Sequence, residues 1–309
     1  MSFAILTDTS GNLPLRLSEK HGIEIIPFVY RMDDTDRVCT DIESFDGEAF
    51  YRDMKSGKLV TTTQISPQQY ADFFAPHLRR GEDVIFVSMS SGISGSCGSA
   101  TLAARLLKED FPERSVAVID TKGAALGEGL VALRGAELRD RGLSFEETVE
   151  ALERLSRRMC NVFTVDDLLF LRRGGRLSNF AAVVGTVLNI KPLLKGDEEG
   201  RIVAFAKLRG RRKAIEALAE RYDTLCVGPE QQTVGIVHAA CREDAELLAS
   251  LLRRNRPPKD IVLVGYEPVT GCHVGPGALA LFFEAGDEVR TELDAVPNVL
   301  SKVRTKLAG

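Results

Sequence analysis

Short runs of apolar, mostly β-branched residues alternate along the chain with segments whose apolar residues recur at helical spacing. Because each run is continuously apolar rather than alternating in polarity, it is typical of a strand buried on both faces of a parallel sheet. Strands that alternate with helices in this way predict an α/β fold. The predicted strands cover residues 3–6, 84–87, 116–119, 234–237 and 261–264.

Three of the intervening segments have the marks of amphipathic helices. Ser144 and Glu147 have the spacing of a capping box, and an apolar stripe follows them to residue 159. A second stripe runs through residues 245–252 and ends before a pair of prolines, and a third runs through residues 215–222. These segments supply the helices that a parallel sheet needs on its faces.

The chain length predicts two domains. A chain of 309 residues is too long for one ordinary hydrophobic core. The end of the capped helix suggests the boundary, so we predict an N-terminal α/β domain over residues 1–162, with a mainly parallel sheet, and a C-terminal α/β domain over residues 163–286. Apolar residues that recur through 287–309 predict a helical C-terminal extension.

Composition and charge narrow the class of protein. Apolar residues make up 44% of the chain, charged residues 27%, and the net charge is -4, which is ordinary for a globular protein and argues against nucleic acid as a partner. The longest mostly apolar run, 181–190, is far shorter than the roughly 20 residues of a membrane span. The N-terminus lacks the basic start of a signal peptide. The six cysteines form no C-x-x-C pair and fit no zinc or haem spacing, and they favour reduced thiols over a disulfide framework. We therefore expect a cytoplasmic protein with reduced thiols, no bound metal and only transient membrane contact.

Two loops that follow predicted strands are rich in hydroxyl groups. Residues 61–67 carry four hydroxyls within six positions, and such neutral donors can hold an anion. The same segment is also consistent with a strand end followed by a helix that begins with Ser66 as its N-cap and Pro67 in its first turn. Residues 90–96 are rich in serine and glycine and lead into a helix, which is the setting of an anion site at a helix N-terminus.

A third loop contains a histidine. His273 lies among glycines after a predicted strand, where it can donate to an anion or change its charge near neutral pH. A lone histidine is more often structural, so both interpretations stay open. Neither glycine-rich loop has the G-K-[ST] ending of a phosphate-binding loop, and residues 90–96 do not read G-x-G-x-x-G, so a nucleotide site is weakly supported.

Basic residues cluster in two places on this acidic chain. Three arginines flank a diglycine in residues 171–178, and further lysines and arginines occupy residues 201–213. A solvated basic surface is one explanation, and a surface that docks an acidic partner is the other.

Four of these segments, together with residues 7–10 after the first predicted strand, resemble motifs of the DegV family, which includes the fatty-acid-binding B subunits of bacterial fatty acid kinase. The similarity extends to about Glu284, with small departures at Thr63, Ile65 and Ser96, where the family pattern has serine, proline and threonine. The five segments are Thr7-Asp8-Thr9-Ser10, residues 62–67, residues 90–96, residues 171–178 and residues 273–277.

The resemblance implies a non-catalytic carrier with a ligand cleft between its two α/β domains. A long-chain fatty acid, for example palmitate or oleate, lies in an apolar tunnel, and no other cofactor is implied. The positions that match the family's carboxylate site are Thr62, Ser94, Gly95 and His273.

The resemblance also implies a partner. A separate ATP-binding kinase subunit phosphorylates the bound carboxylate, and the acyl phosphate then feeds phospholipid synthesis. The candidate docking residues are Arg172, Arg173, Arg209 and Arg211, with Arg209 as the position that best matches the family's kinase contact.

Two other functions remain open at this stage. A serine esterase or acyltransferase would use Ser94 and His273 with Asp8 or Asp120, although the chain lacks the G-x-S-x-G pattern. A regulatory or sugar-binding module of the same fold is the second alternative.

Overall fold

The computed structural model describes residues 2–177, 189–287 and 289. The helical extension that we predict over 287–309 therefore lies outside the described residues, apart from 287 and 289. The strands are β1 (Phe3–Asp8), β2 (Ile23–Ile26), β3 (Val29–Met32), β4 (Thr35–Val38), β5 (Val60–Thr63), β6 (Asp83–Ser88), β7 (Val116–Asp120), β8 (Met159–Thr164), β9 (Ile190–Gly196), β10 (Ile202–Arg209), β11 (Thr233–His238), β12 (Asp260–Gly265) and β13 (Leu279–Glu284).

The helices connect these strands and cover their faces. Two short 3₁₀ turns, Thr9–Gly11 and Pro229–Gln231, complete the regular structure among the described residues. The α-helices are α1 (Leu15–Lys20), α2 (Gly47–Lys55), α3 (Pro67–Arg79), α4 (Ser96–Asp110), α5 (Leu126–Asp140), α6 (Phe145–Arg158), α7 (Leu169–Arg173), α8 (Arg211–Leu225), α9 (Arg242–Asn255) and α10 (Pro268–Val274).

The N-terminal sheet is parallel throughout. Its strand order is β2-β1-β6-β7, and three of the predicted strands form its β1, β6 and β7. All six residues of β6 are buried, as expected for a central strand covered by helices on both faces. The α/β class and the parallel N-terminal sheet are thus confirmed.

The second large sheet is mixed. Its order is β10-β9-β8-β13-β11-β12, and only the pair β11 and β12 is parallel. A third, antiparallel sheet of order β4-β3-β5 branches from the N-terminal part and carries the hydroxyl-rich residues 61–63 on its edge strand.

Local capping signals agree with the helix starts. Ser144 accepts a hydrogen bond from the backbone of Glu147 and receives the Glu147 carboxylate at its own backbone N–H, so the predicted capping box of α6 is confirmed. Ser66 and Gln69 form an equivalent box before α3, with Pro67 in the first turn. The interpretation of residues 61–67 as a strand end and helix start is therefore correct.

Helix α5 joins the two large sheets. It packs against β1 on one side and β11 on the other, and most of its residues are buried. Gly235 on β11 allows this contact, because a Cβ there would lie 2.8 Å from the Leu126 side chain. One continuous hydrophobic core extends from the parallel sheet across α5 to the inner face of the mixed sheet.

A second core fills the outer face of the mixed sheet beneath α8 and α9. The domain boundary that we predict at residue 162 falls within β8, a strand of the mixed sheet. The division into domains stays a prediction, and a boundary before Met159 would keep β8 with its sheet.

Across the described ranges, no helix is both long and apolar enough to cross a membrane.

Candidate functional site

A cavity lies between the parallel sheet, the small antiparallel sheet and the mixed sheet. Its volume is about 200 Å³, far above the roughly 10–15 Å³ that a single water molecule requires. Its walls are largely apolar, whereas hydroxyl, amide and imidazole groups gather on one side. The apolar lining includes Phe28, Met89, Ile93, Phe163, Leu171, Ile202, Val269, Val274 and Phe282.

Thr62 and His273 meet on the polar side of this cavity. Thr62 lies on the edge strand β5 and His273 in the last turn of α10, 211 residues away in sequence, yet Thr62 Oγ1 is 3.1 Å from His273 Nε2. Both side chains line the cavity and are partly buried. Two residues that the sequence predicts as anion ligands are thus brought together.

Ser94 and Gly95 line the same cavity from the loop that precedes α4. The Ser94 hydroxyl donates to Ser96 Oγ at 3.0 Å and accepts the Ser96 backbone N–H at 3.2 Å. Gly95 lies against Gln64, since a Cβ on Gly95 would be only 2.4 Å from Gln64 Oε1. The Gln64 amide in turn donates to Ser99 at 2.6 Å, which ties the hydroxyl-rich segment 61–67 to the first turns of α4.

Two cationic side chains, Arg176 and Lys122, also line the cavity, and the Lys122 ammonium pairs with Asp120 at 2.8 Å. Burial, together with the nearby Arg176 guanidinium, lowers the pKa of His273 to about 4, so the imidazole is neutral at pH 7. Arg176 itself donates to the backbone carbonyls of Ile93 and Gly174. An anion at this position would therefore meet hydroxyls, a neutral imidazole and loop amides, in a cavity that Arg176 and the Asp120-paired Lys122 also line.

Arg176 is a lining residue that the sequence interpretation missed. It belongs to the diglycine segment, which the sequence leaves open as a solvated basic surface or a surface that docks a partner. The glycine at position 174 places this loop against the histidine, since a Cβ there would be 2.6 Å from His273 Nδ1.

The expectation that His273 lies in a glycine-rich loop is wrong, because His273 belongs to helix α10 and the turn begins after Val274.

The four predicted docking arginines differ in exposure. Arg172 and Arg173 are exposed in the last turn of α7, and Arg209 is exposed at the end of β10. Arg211 is only partly exposed, because its guanidinium pairs with Asp244 at 2.8 Å and lies 3.6 Å from Asp166.

The geometry gives the esterase alternative no support. The Ser94 hydroxyl donates to another serine, and His273 Nε2 contacts Thr62. Among hydrogen bonds between described residues, none joins Ser94, Asp8 or Asp120 to His273, whereas a catalytic triad needs the histidine between the serine and the acid. Among the residues that the structure describes, no group of three or more His, Cys, Asp or Glu side chains is placed to hold a metal.

A second polar cluster lies at the end of β1 and the start of α5. Thr7 Oγ1 donates to the Glu128 carboxylate at 2.8 Å, and the Ser10 backbone N–H donates to Asp8 at 2.9 Å. The Ser10 hydroxyl lies between the two acids, 2.8 Å from Glu128 Oε2 and in contact with Asp8 Oδ1, and its one proton is shared between them. Asp8 and Glu128 are both buried. Burial raises the pKa of Asp8 to about 7, and burial together with the Asp8 charge raises the pKa of Glu128.

The chain matches one family model over almost its full length. The model, described as an uncharacterised protein of the DegV family, matches residues 2–286. A DegV domain-containing protein of Clostridium perfringens is 33% identical over 281 residues, which cover 91% of this chain and 97% of the relative.

Solved structures of DegV family proteins are similar to this fold over more than nine tenths of the chain. A DegV family protein from Thermus thermophilus, whose structure is described as fatty acid binding, has a TM-score of 0.83 at 29% identity and covers 93% of this chain and 100% of its own. A DegV family protein from Ruminococcus gnavus, solved with vaccenic acid, has a TM-score of 0.81 at 25% identity and covers 91% of this chain and 99% of its own.

Proposed function

This chain belongs to the DegV family, and we propose that it binds one long-chain fatty acid in the cleft between its two large sheets. The carboxylate is held at Thr62, Ser94, Gly95 and His273. The observation that carries this proposal is the cavity itself, in which an apolar wall leads to a cluster of neutral hydrogen-bonding groups. The fatty acids bound by solved relatives support the same ligand class.

The energetics suit an acyl chain. Burying about 14 methylenes at about 0.8 kcal/mol each offers roughly 11 kcal/mol, from which the loss of translational and rotational freedom removes several kcal/mol. Enough remains for tight binding, provided that the buried carboxylate keeps its hydrogen bonds.

Neutral donors leave the carboxylate chemically accessible. The hydroxyls of Thr62 and Ser94 can each donate one hydrogen bond, and a neutral His273 can donate another. A bidentate arginine would occupy both oxygens, whereas single donors leave an oxygen free to attack a phosphoryl group. This arrangement is consistent with a carrier that presents its ligand to a separate ATP-dependent fatty acid kinase subunit for acyl phosphate formation.

Solvent extraction of the purified protein followed by mass spectrometry tests the ligand. We expect a saturated or monounsaturated acid of roughly C14–C18, the range that the family resemblance implies, and binding of palmitate or oleate by the protein after delipidation. Absence of acyl lipid in the native protein, together with no binding of added palmitate or oleate, would reject the proposal.

Incubation with ATP and fatty acid tests the division of labour. We expect no acyl phosphate from this chain alone and formation of acyl phosphate when the cognate kinase subunit is added. Product formed by the chain alone would contradict the carrier assignment. A chromogenic acyl ester supplies a second check, because a carrier gives neither a burst nor turnover.

Arg209 is our candidate kinase contact, because it is exposed at the end of β10. We expect Arg209→Glu to raise the apparent KM of the kinase for the loaded protein, with fatty acid affinity unchanged, and the effect to shrink at high salt. Arg253→Glu, an exposed reversal in the last turn of α9, is the matched control and should leave the KM unchanged. Equal KM values for wild type and Arg209→Glu at low salt would reject this docking surface.

A further inference from the structure

The helix that carries His273 begins at a buried acid. Helix α10 has only seven residues, and a helix this short is not stable without tertiary support. Glu267 precedes it and is 1% exposed. Its carboxylate accepts the backbone N–H groups of Val269, at 2.6 Å, and of Thr270. Two of the unpaired donors of the first turn are therefore satisfied by one carboxyl side chain.

A residue from the other end of the chain holds the same turn. Asn12 follows the first 3₁₀ turn in a left-handed conformation, with φ of 52°. Its Nδ2 donates to the carbonyl of Gly265 at 2.7 Å, and its Oδ1 accepts the backbone N–H of Glu267 and the hydroxyl of Thr270, each at 3.4 Å. The turn after β1 thereby anchors the segment that leads into α10.

The flank of the helix is fixed by Tyr51 on α2. Its hydroxyl donates to the Tyr266 carbonyl at 2.9 Å. Gly271 lies directly against it, since a Cβ at that position would be 1.9 Å from Tyr51 Oη. Helix α10 is thus confined at its first turn and along one side, and its last turn presents His273 to Thr62.

We propose that Glu267, together with Asn12, is a positioning residue for the fatty acid head group. The cap fixes the first turn of α10, and the helix transmits that placement over six residues to His273, whose Nε2 lies 3.1 Å from Thr62 Oγ1. This inference rests on the proposed function, because it assigns the pair a role at the same carboxylate site. Glu267 does not line the cavity, so its effect on the ligand acts through α10.

The first test needs no ligand. The chain has four histidines, so the His273 ring signals can be assigned in an NMR spectrum by comparison with His273→Ala. We expect Glu267→Gln, which keeps the shape but replaces one of the two acceptor oxygens of the cap, to shift the His273 signals. Asp46→Asn is the matched control, because Asp46 caps α2 through the Ala49 backbone N–H at 2.9 Å and lies outside the site. It should leave the His273 signals unchanged.

The second test separates positioning from general stability. Glu267→Gln should weaken palmitate binding by about tenfold, because a displaced His273 would lose its hydrogen bond to the charged carboxylate of the ligand. In the His273→Ala background the same substitution should have little further effect, because the residue that it positions is gone. Glu267→Asp, which can still cap the helix, should restore much of the affinity. Equal and additive losses in both backgrounds would overturn the proposal.

Asn12→Gly provides an independent variant if Glu267→Gln does not fold. Glycine accepts the left-handed backbone at position 12, so only the side-chain hydrogen bonds are lost. We expect the same His273 shift and the same non-additivity with His273→Ala. Unchanged His273 signals in Asn12→Gly and in any folded Glu267→Gln overturn the positioning role. Absence of palmitate binding by wild type would instead reject the proposed function, and the NMR comparison would still decide the effect on His273.

Discussion

Two hydroxyl-rich clusters differ in what their hydroxyls face. In the buried cluster at the end of β1, Thr7 and Ser10 donate to the carboxylates of Glu128 and Asp8. In the cavity, Thr62 faces a neutral histidine and Ser94 faces another serine. A hydroxyl beside a buried acid has already committed its one proton, whereas a hydroxyl beside a neutral partner can redirect its proton to an incoming anion.

This contrast indicates why the cavity, rather than the neighbouring acid cluster, suits a carboxylate ligand. The acid cluster already holds two carboxyls with raised pKa values, and a third would be repelled. We therefore expect substitutions in the acid cluster to affect stability and substitutions in the cavity to affect binding.

The largest effect should come from Glu128→Ala. Truncation of this fully buried side chain leaves a cavity and removes hydrogen bonds from Thr7 and Ser10, so the free energy of unfolding should fall by about 3 kcal/mol. Urea denaturation measures this change. Palmitate affinity of the folded fraction should stay within about twofold, and a large loss of affinity with little loss of stability would break the contrast between the clusters.

The opposite result is expected for Thr62→Ala and Ser94→Ala. Each should weaken palmitate binding by about ten- to a hundredfold, because a hydrogen bond to a charged group contributes about 1.5–3 kcal/mol. Thr101→Ala is a suitable control, since the Thr101 hydroxyl donates to the carbonyl of Cys97 within α4. Unchanged affinity in the Thr62→Ala, Ser94→Ala double variant, measured by titration calorimetry, would mean that the carboxylate lies elsewhere.

The acid cluster should also appear in the pH dependence of stability. Because the pKa values of Asp8 and Glu128 are raised in the folded protein, the folded state keeps protons that the unfolded chain has released. The free energy of unfolding should therefore fall as pH rises from about 4 to about 7.

Glu128→Gln tests this assignment, because it removes one of the titrating groups while the amide can still pair with both hydroxyls. The slope of stability against pH should flatten relative to wild type, and the contribution of Glu267, whose pKa burial also raises to about 7, should remain. Glu150→Gln at an exposed position of α6 is the control. Identical slopes for wild type and Glu128→Gln would contradict the shared burial of the acid pair.

The smallest effect concerns the glycine beside Gln64. Gly95→Ala would push the Gln64 amide away from Gly95, since the new Cβ would lie 2.4 Å from its oxygen. We expect a loss of palmitate affinity of a few fold and a change in the free energy of unfolding within about 0.5 kcal/mol. Gly98→Ala, on the same helix with open space around it, should leave the affinity unchanged. Equal affinities of the two variants in a fluorescent fatty acid competition assay would reject the assignment of Gly95 to the carboxylate site.

The sequence by itself determined the local structure wherever neighbouring residues supply the deciding interactions. Continuous apolar runs became the strands of the parallel sheet, and Ser144 with Glu147 began α6 as predicted, because caps and buried strands depend on residues a few positions apart. The motif resemblance also identified the family and, with it, the ligand class of its solved members.

Only the tertiary structure decided which side chains meet. The pairing of β8 with β13 and β9 brings distant segments together, and the contact of Thr62 with His273 joins positions 211 residues apart. The same holds for the capping of α10 by Glu267 beside Asn12, and for Arg176, which lines the cavity although its neighbours Arg172 and Arg173 are exposed. Spacing along the chain carries no information on such contacts, because they depend on how sheets and helices pack after the local elements have formed.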